Sequence, residues 1–173
     1  RGGRMTKLKG RVASYAPSVG LALAVAAGLG TATFADVISG PETSMYYLDF
    51  DEDLEITNSG SVLVIDGPID GTSIYADGGF EGSVTNEGTV GNWASDGFIS
   101  AIEIDGDLLG AITNNDDIVA DVDSTNDAVG AVGIFLDSDV ETGGVIANNG
   151  DISATSYVDG SSFADLYAEA IGV

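Results

Sequence analysis

The sequence predicts an all-β fold, a parallel β-helix (β-solenoid) of about four coils that follows a helical signal peptide. One motif recurs four times within residues 36–173, and its copies contain short segments rich in Val, Ile and Thr. Gly, Asn and Asp separate these segments, which are too brief for helices and have the composition of strands. Repeats of this length stack as coils, each burying its apolar residues against its neighbours.

The amino-terminal segment has the pattern of a secretory signal peptide. A basic start is followed by an uncharged run over residues 12–35, which ends at Thr33-Phe34-Ala35, with small residues at positions −3 and −1 of a cut before Asp36. We therefore predict a signal peptide over residues 1–35, of which residues 1–4 lie upstream of the true start. A membrane anchor and a buried helix are the alternatives, although one proline and several glycines shorten the strongly apolar part to about a dozen residues.

The distribution of charge excludes several function classes. The chain has 5 basic and 28 acidic residues, no His and no Cys. All basic residues lie at or before Arg11 and all acidic ones at or after Asp36, so residues 36–173 have a formal charge of −28. Nucleic acids and anionic lipids are bound through Lys and Arg, so we expect neither as a partner, and we expect no membrane span in this segment. Histidine and cysteine catalysis and thiolate or imidazole zinc sites lack their atoms.

Each repeat has an asparagine between two apolar residues that are six positions apart, as in Val84 and Val90. The asparagines, spaced by 28, 28 and 34 residues, are Asn58, Asn86, Asn114 and Asn148. We expect the asparagine and the glycine that follows it in three copies to form a corner with left-handed backbone, and the amides to bond along the stack. The four asparagines are therefore predicted to form a structural ladder. Residues 170–173 match residues 131–134, so we expect the repeats to be truncated at the carboxy-terminal end.

A signal peptide, the absence of Cys, strong acidity and coils of the form apolar-Thr-Asn-x-Gly-x-apolar resemble the passenger region of bacterial autotransporters and related parallel β-helix surface proteins. The resemblance covers residues 46–173. It implies export by the secretion machinery, a carboxy-terminal barrel in the outer membrane of a Gram-negative bacterium, and a β-helix at the cell surface or outside the cell. Such a β-helix serves as a stalk, an adhesin or an enzyme platform, with a host-cell or polysaccharide ligand.

Two acidic clusters are candidate calcium sites. The candidate ligands are Asp49, Asp51 and Asp53 in the first cluster and Asp121, Asp123 and Asp127 in the second. The first cluster has the alternation that opens a calcium loop, but an EF-hand would require Gly and Glu where this chain has Leu54 and Gly60. The alternatives are a strand with an acidic outer face for the first cluster and an ordinary polar loop for the second.

A third acidic feature is a column with one aspartate in each coil. Its members are Asp49, Asp77, Asp105 and Asp137. Stacked coils bring equivalent residues to a spacing of about 4.8 Å, where like charges destabilise a sheet. Because no basic side chain compensates, we predict that salt or divalent cations, calcium in particular, stabilise the fold. No other cofactor is predicted.

We expect residues 36–173 to act as a stalk or adhesin scaffold and not as an enzyme. Asn115–Asp117 resembles the acidic sites of β-helix polygalacturonases, but those enzymes also present His, Arg and Lys around the sugar. Two alternatives are the amino-terminal part of a carbohydrate-active β-helix enzyme and a calcium-stabilised secreted repeat protein. Trp93, Phe98 and Tyr75 form either a sugar-stacking platform or core packing, and an insertion near Glu141 is a candidate binding loop.

Overall fold

Fifteen β-strands make up the part of the chain that the structure, a computed structural model, describes: residues 35–65, 71–124, 128–158 and 165–172. No helix occurs among these residues. The predicted signal peptide lies outside them except for its last residue, Ala35.

The strands are short, because Val, Ile and Thr favour extended backbone and Gly, Asn and Asp interrupt it. In several of them, buried residues alternate with more exposed ones. The strands are β1 (Asp36–Ile38), β2 (Pro41–Glu42), β3 (Tyr46–Leu48), β4 (Asp53–Ile56), β5 (Ser61–Ile65), β6 (Thr72–Asp77), β7 (Ser83–Asn86), β8 (Thr89–Ala94), β9 (Phe98–Asp105), β10 (Ala111–Asn114), β11 (Asp117–Ser124), β12 (Ala128–Leu136), β13 (Val145–Asn148), β14 (Asp151–Val158) and β15 (Asp165–Gly172).

The strands form three parallel sheets of five strands each, which the chain visits in rotation. The first sheet has the order β1-β4-β7-β10-β13, the second β2-β5-β8-β11-β14 and the third β3-β6-β9-β12-β15. Three successive strands therefore make one winding, and each winding pairs with the next in all three sheets. The predicted all-β, solenoid-like parallel architecture is confirmed at this level. The described residues contain five windings where the repeats indicated about four, because the first winding lacks the asparagine motif.

Columns of apolar side chains fill the interior between the sheets. Two such columns are Val62–Val90–Ile118 in the second sheet and Ile74–Ile102–Ile134 in the third. All six side chains are fully buried. Because each winding buries these residues only against its neighbours, the stability of the fold is approximately a sum over windings and the interfaces between them.

The spacing of 28 residues conceals two changes in coil length that compensate each other. Tyr46 pairs with Ile74 at an offset of 28, Asp53 pairs with Ser83 at an offset of 30, and the pairing of β5 with β8 returns to an offset of 28. The loop before β7 is thus two residues longer than the loop before β4, and the corner after β7 is two residues shorter than the corner after β4. As a result, Ile56 pairs with Asn86.

The insertion in the last full repeat is divided between two places. The offset between paired strands is 28 for β8 and β11, 32 for β9 and β12, and 34 for β10 and β13. Four extra residues therefore fall between the second and third sheets, and two fall in the loop before β13. In that loop Gly144 N donates to Glu141 O at 2.9 Å and Glu141 N donates to Leu108 O at 3.0 Å. These bonds hold the turn at Glu141 against the preceding winding.

Candidate functional site

Three of the four predicted ladder asparagines are joined by side-chain hydrogen bonds at the corner between the first and second sheets. Asn86 Nδ2 donates to Asn114 Oδ1 at 2.7 Å, and Asn114 Nδ2 donates to Asn148 Oδ1 at 2.8 Å. The same two Nδ2 atoms lie 3.2 and 3.3 Å from the backbone oxygens of Asp117 and Asp151. Asn86 and Asn114 are each 1% exposed, so these amides form a buried polar column at this corner of the core.

Asn58 lies outside this amide column. Ile56 pairs with Ile38 on one side and with Asn86 on the other, and it takes the place in the column that the sequence spacing assigns to Asn58. The side chain of Asn58 is exposed on the longer corner, where Gly60 N donates to the backbone oxygen of Thr57 at 2.7 Å. The structure therefore differs from the predicted ladder at its first member, and the reason is the two-residue shift in register at β4.

Close contact between windings accounts for the corner glycines. Gly60, Gly88 and Gly150 are absent from the glycines with positive φ, so the left-handed corner expected from the sequence is not what they provide. A Cβ on each of them would lie 2.1 to 2.2 Å from a backbone carbonyl oxygen of the neighbouring winding. At these three positions a side chain would push the windings apart, whereas the equivalent position after β10 is occupied by Asp116.

The column of aspartates is exposed along most of its length. Asp77 pairs with Asp105, and Asp105 Oδ2 accepts a hydrogen bond from the Tyr75 hydroxyl at 2.9 Å. Burial, this hydrogen bond and the negative charge of Asp105 and Asp77 raise the pKa of Tyr75 above its usual range. Asp49 and Asp137 are exposed. The column is thus a line of solvated carboxylates, one of which Tyr75 contacts.

The first candidate calcium cluster is spread over a loop and a strand. Asp49 and Asp51 are exposed on the loop before β4, whereas Asp53 Oδ1 accepts hydrogen bonds from N and Oγ of Ser83 at 2.9 and 2.6 Å. Across the described part of the chain, no group of three or more His, Cys, Asp or Glu side chains is arranged to hold a metal ion. Through its hydrogen bonds with Ser83, Asp53 instead connects its own winding to the next one.

Two members of the second candidate cluster line a surface groove, which we call the Trp93 groove. It has a volume of about 200 Å³. The lining residues are Trp93, Ala94, Ser95, Asp121 and Asp123. The sequence suggested a polar loop here, but β11 continues to Ser124, so both carboxylates lie on a strand. Asp121 pairs with Trp93 on the adjacent strand, and Asp123 follows two residues later on the same face. Asp127, the third candidate, lies outside the described residues.

The two residues that precede Trp93 on β8, Gly91 and Asn92, account for the position of its indole ring and for the anchoring of the strand. The ring folds back over Gly91, because a Cβ at that position would lie 2.2 Å from Cη2 of the indole. Asn92 points into the core, where its Nδ2 donates to the backbone oxygens of Gly71 at 2.8 Å and Ser100 at 3.0 Å. The inward amide fixes the strand and the glycine leaves room for the ring. Glycine inside a strand is the sequence signal that could have revealed this close contact.

The three aromatic residues considered as a sugar platform do not lie together. Trp93 is on the second sheet, whereas Phe98 and Tyr75 are on the third. The ring of Phe98 covers Gly130, where a Cβ would lie 2.3 Å from its Cδ1 atom. The ring of Tyr75 packs edge-on against Tyr47, with 5.1 Å between the centroids. Of the three, Trp93 is the one that lines the groove with Asp121 and Asp123.

Comparison with protein-family models, with curated proteins and with solved structures finds no match to this chain. Within residues 35–65, 71–124, 128–158 and 165–172, no helix has the length and apolar character needed to cross a bilayer. The described residues show an acidic all-β fold with solenoid-like parallel sheets and a surface groove lined by Trp93, Asp121 and Asp123.

Proposed function

We propose that residues 36–173 form a parallel β-helix segment of an exported protein of the autotransporter passenger type, which acts at the cell surface as a stalk or adhesin scaffold. The observation that carries the proposal is the pairing of every winding with the next in all three sheets. A solenoid whose windings contact only their neighbours gains length by adding windings, which is the property that a stalk needs. The strands also provide a rigid outer face for ligand contacts.

The charge of the segment supports an extracellular location. No Lys or Arg follows Arg11, and every one of the 28 acidic residues lies in the segment. Two copies of this acidic segment repel each other. The repulsion opposes edge-to-edge association of their sheets, to which exposed strand edges are otherwise prone. Salt and divalent cations in the medium screen the repulsion within the segment itself.

Export is tested by joining residues 1–35 to an alkaline phosphatase that lacks its own signal peptide, in a Gram-negative host. We expect active enzyme in the periplasm and cleavage directly after Ala35, because the segment has a basic start, an apolar centre and a small-residue end. The control is Leu23→Arg, which places a charge in the apolar centre. Enzyme that stays in the cytoplasm, or that stays uncleaved in the membrane, would contradict the proposed cleaved signal peptide.

Scaffold function is tested by displaying the whole chain on bacterial cells through an unrelated outer-membrane anchor. We expect the displaying cells to adhere to host-cell or polysaccharide-coated surfaces more than cells that carry the anchor alone. A matched control displays Gly82→Ala, since a Cβ there would lie 1.9 Å from the backbone oxygen of Glu52 and disrupt the stacking of windings. Equal adhesion of all three strains would refute the adhesin role.

A further inference from the structure

We propose that the Trp93 groove binds the alkylammonium group of a small organic cation, by contact with the indole ring and with the carboxylates of Asp121 and Asp123. The inference deepens the proposed function and rests on it, because a scaffold exposed to the medium is expected to present a ligand site. Its test uses the purified chain and does not depend on export, so the two proposals fail separately.

The arrangement of the groove provides the two interactions that bind an organic ammonium. Trp93 is the single tryptophan of the chain and is half-buried, with its ring held over Gly91. The electron-rich face of an indole attracts a cation, and tryptophan does so best among the aromatic residues. Asp121 lies opposite Trp93 on the adjacent strand, whose backbone is about 4.8 Å away, and Asp123 is two residues further along on the same face. Both carboxylates line the groove.

Exposed apolar side chains lie on the strands on either side of the groove. Ile65 pairs with Trp93 from the preceding winding and is 68% exposed. Tyr157 pairs with Asp123 from the following winding and is 54% exposed. An alkylammonium has apolar methyl or methylene groups around its charge, so these two side chains match its body while the carboxylates match its charge. A bare metal ion would use only the carboxylates.

Charge and size narrow the class of ligand further. No Lys or Arg follows Arg11, so the potential around the groove is negative and disfavours anions such as acidic sugars or phosphates. The volume of about 200 Å³ lies below the range of about 300 to 1,000 Å³ that is usual for drug-sized ligands. A single trimethylammonium or primary ammonium head suits this space better than a chain of sugar rings.

The test titrates the purified 173-residue chain with choline in 0.15 M NaCl and follows the fluorescence of Trp93, which reports on the groove alone because the chain has no other tryptophan. The matched ligand is 3,3-dimethyl-1-butanol, which has the shape of choline without its charge. We expect saturable binding of choline and no saturable binding of the alcohol. Glucose is the third ligand, and saturation by glucose without saturation by choline would overturn the proposal in favour of a sugar site.

Variants of the chain separate the local contact from general acidity. Asp121→Asn is expected to weaken choline binding about threefold, as for a partly exposed ion pair. Asp117→Asn removes the same charge from the start of the same strand, away from the groove, and is expected to leave the affinity unchanged. Equal losses in both variants would mean that bulk charge attracts choline, which would overturn the proposal.

Gly91→Ala tests the placement of the ring without removing it. The new Cβ would lie 2.2 Å from Cη2 of the indole, so the ring must leave its position over residue 91 while the strand remains paired. We expect choline binding to weaken about twofold to thirtyfold, the range of a cation–π contact, with an unfolding midpoint close to that of the parent chain. Unchanged affinity in a folded Gly91→Ala variant would refute the role of the indole.

The source of the ammonium is identified by competition. Nα-acetyl-lysine amide carries the side chain that a protein partner would present, whereas choline represents a free small molecule. Displacement of choline by the lysine derivative at lower concentration would identify a lysine side chain as the preferred source, and weaker displacement would identify a methylated small cation. Failure of both compounds to bind at concentrations of tens of millimolar would overturn the proposal, whatever the outcome of the export experiment.

Discussion

Replacement of Asn114 by Ala removes the central member of the amide column, and its effect is calculable from the bonds lost. Asn114 accepts a hydrogen bond from Asn86 and donates to Asn148 and to the backbone oxygen of Asp151, at 2.7, 2.8 and 3.3 Å. Each such bond contributes about 1 kcal/mol net to stability, so the variant should lose about 2 to 3 kcal/mol of the free energy of unfolding. That loss is a large part of a typical stability of about 5 to 15 kcal/mol.

The matched control is Asn58→Ala, which changes the equivalent residue of the sequence motif. Asn58 is exposed and outside the column, so its replacement should alter the free energy of unfolding by less than about 0.5 kcal/mol. Both variants are compared with the parent chain by urea unfolding, followed by circular dichroism. With a slope of about 2 kcal/mol per molar urea, Asn114→Ala should lower the midpoint by about 1 to 1.5 M. Similar shifts in the two variants would refute the register that places Ile56 in the column.

Three further predictions concern packing and charge. Gly82→Ala should cost more than about 3 kcal/mol, because its Cβ would lie 1.9 Å from a backbone oxygen, whereas Gly40→Ala, with nothing within 4 Å, should be nearly neutral in the same urea experiment. Raising NaCl from 10 mM to 0.5 M should raise Tm, since neighbouring aspartates repel by about 0.9 kcal/mol per pair in water; an unchanged Tm would mean that the carboxylates do not interact. Burial and hydrogen bonds to Glu52 and Asp36 raise the pKa of Tyr46 above its ordinary value of 10.0, so the stability it contributes is complete below pH 10.0 and is lost as pH rises above it. Tyr46→Phe should weaken this alkaline loss, as measured by urea midpoints at increasing pH.

The stacking of the windings could be predicted from the sequence, but the register of the strands at one corner could not. Apolar pairs six positions apart led directly to columns such as Val62 on Val90, because side chains that repeat with the winding are buried together. The ladder failed at Asn58 because a constant spacing of 28 does not distinguish an unchanged coil from one with two added and two deleted residues. Only the pairing of strands locates such changes.

The pairing of Trp93 with Asp121 in the groove could have been predicted from the spacing of the repeats. Asp121 follows Trp93 by 28 residues, which is one winding, so the period alone places the two side chains on adjacent strands. What the period could not supply is the length of β11, whose extension to Ser124 turns an expected loop into a flat acidic strand. The fold of the indole over Gly91 depends on a side-chain rotamer, which no repeat pattern encodes.

The amide column also selects one alignment of the chain while the windings assemble. A parallel strand can slide by two residues and keep its inward side chains inward, so Val and Ile columns alone tolerate such a slip. A slip that moved Asn114 against an apolar neighbour would leave a buried amide without partners, at a cost of about 1 to 3 kcal/mol. The one two-residue slip relative to the motif occurs at β4, where Ile56 takes the place of an amide. From β7 to β13, the amide of each asparagine finds its partner only when the asparagine of the next winding is in register. The first winding to fold therefore sets the register of the next one.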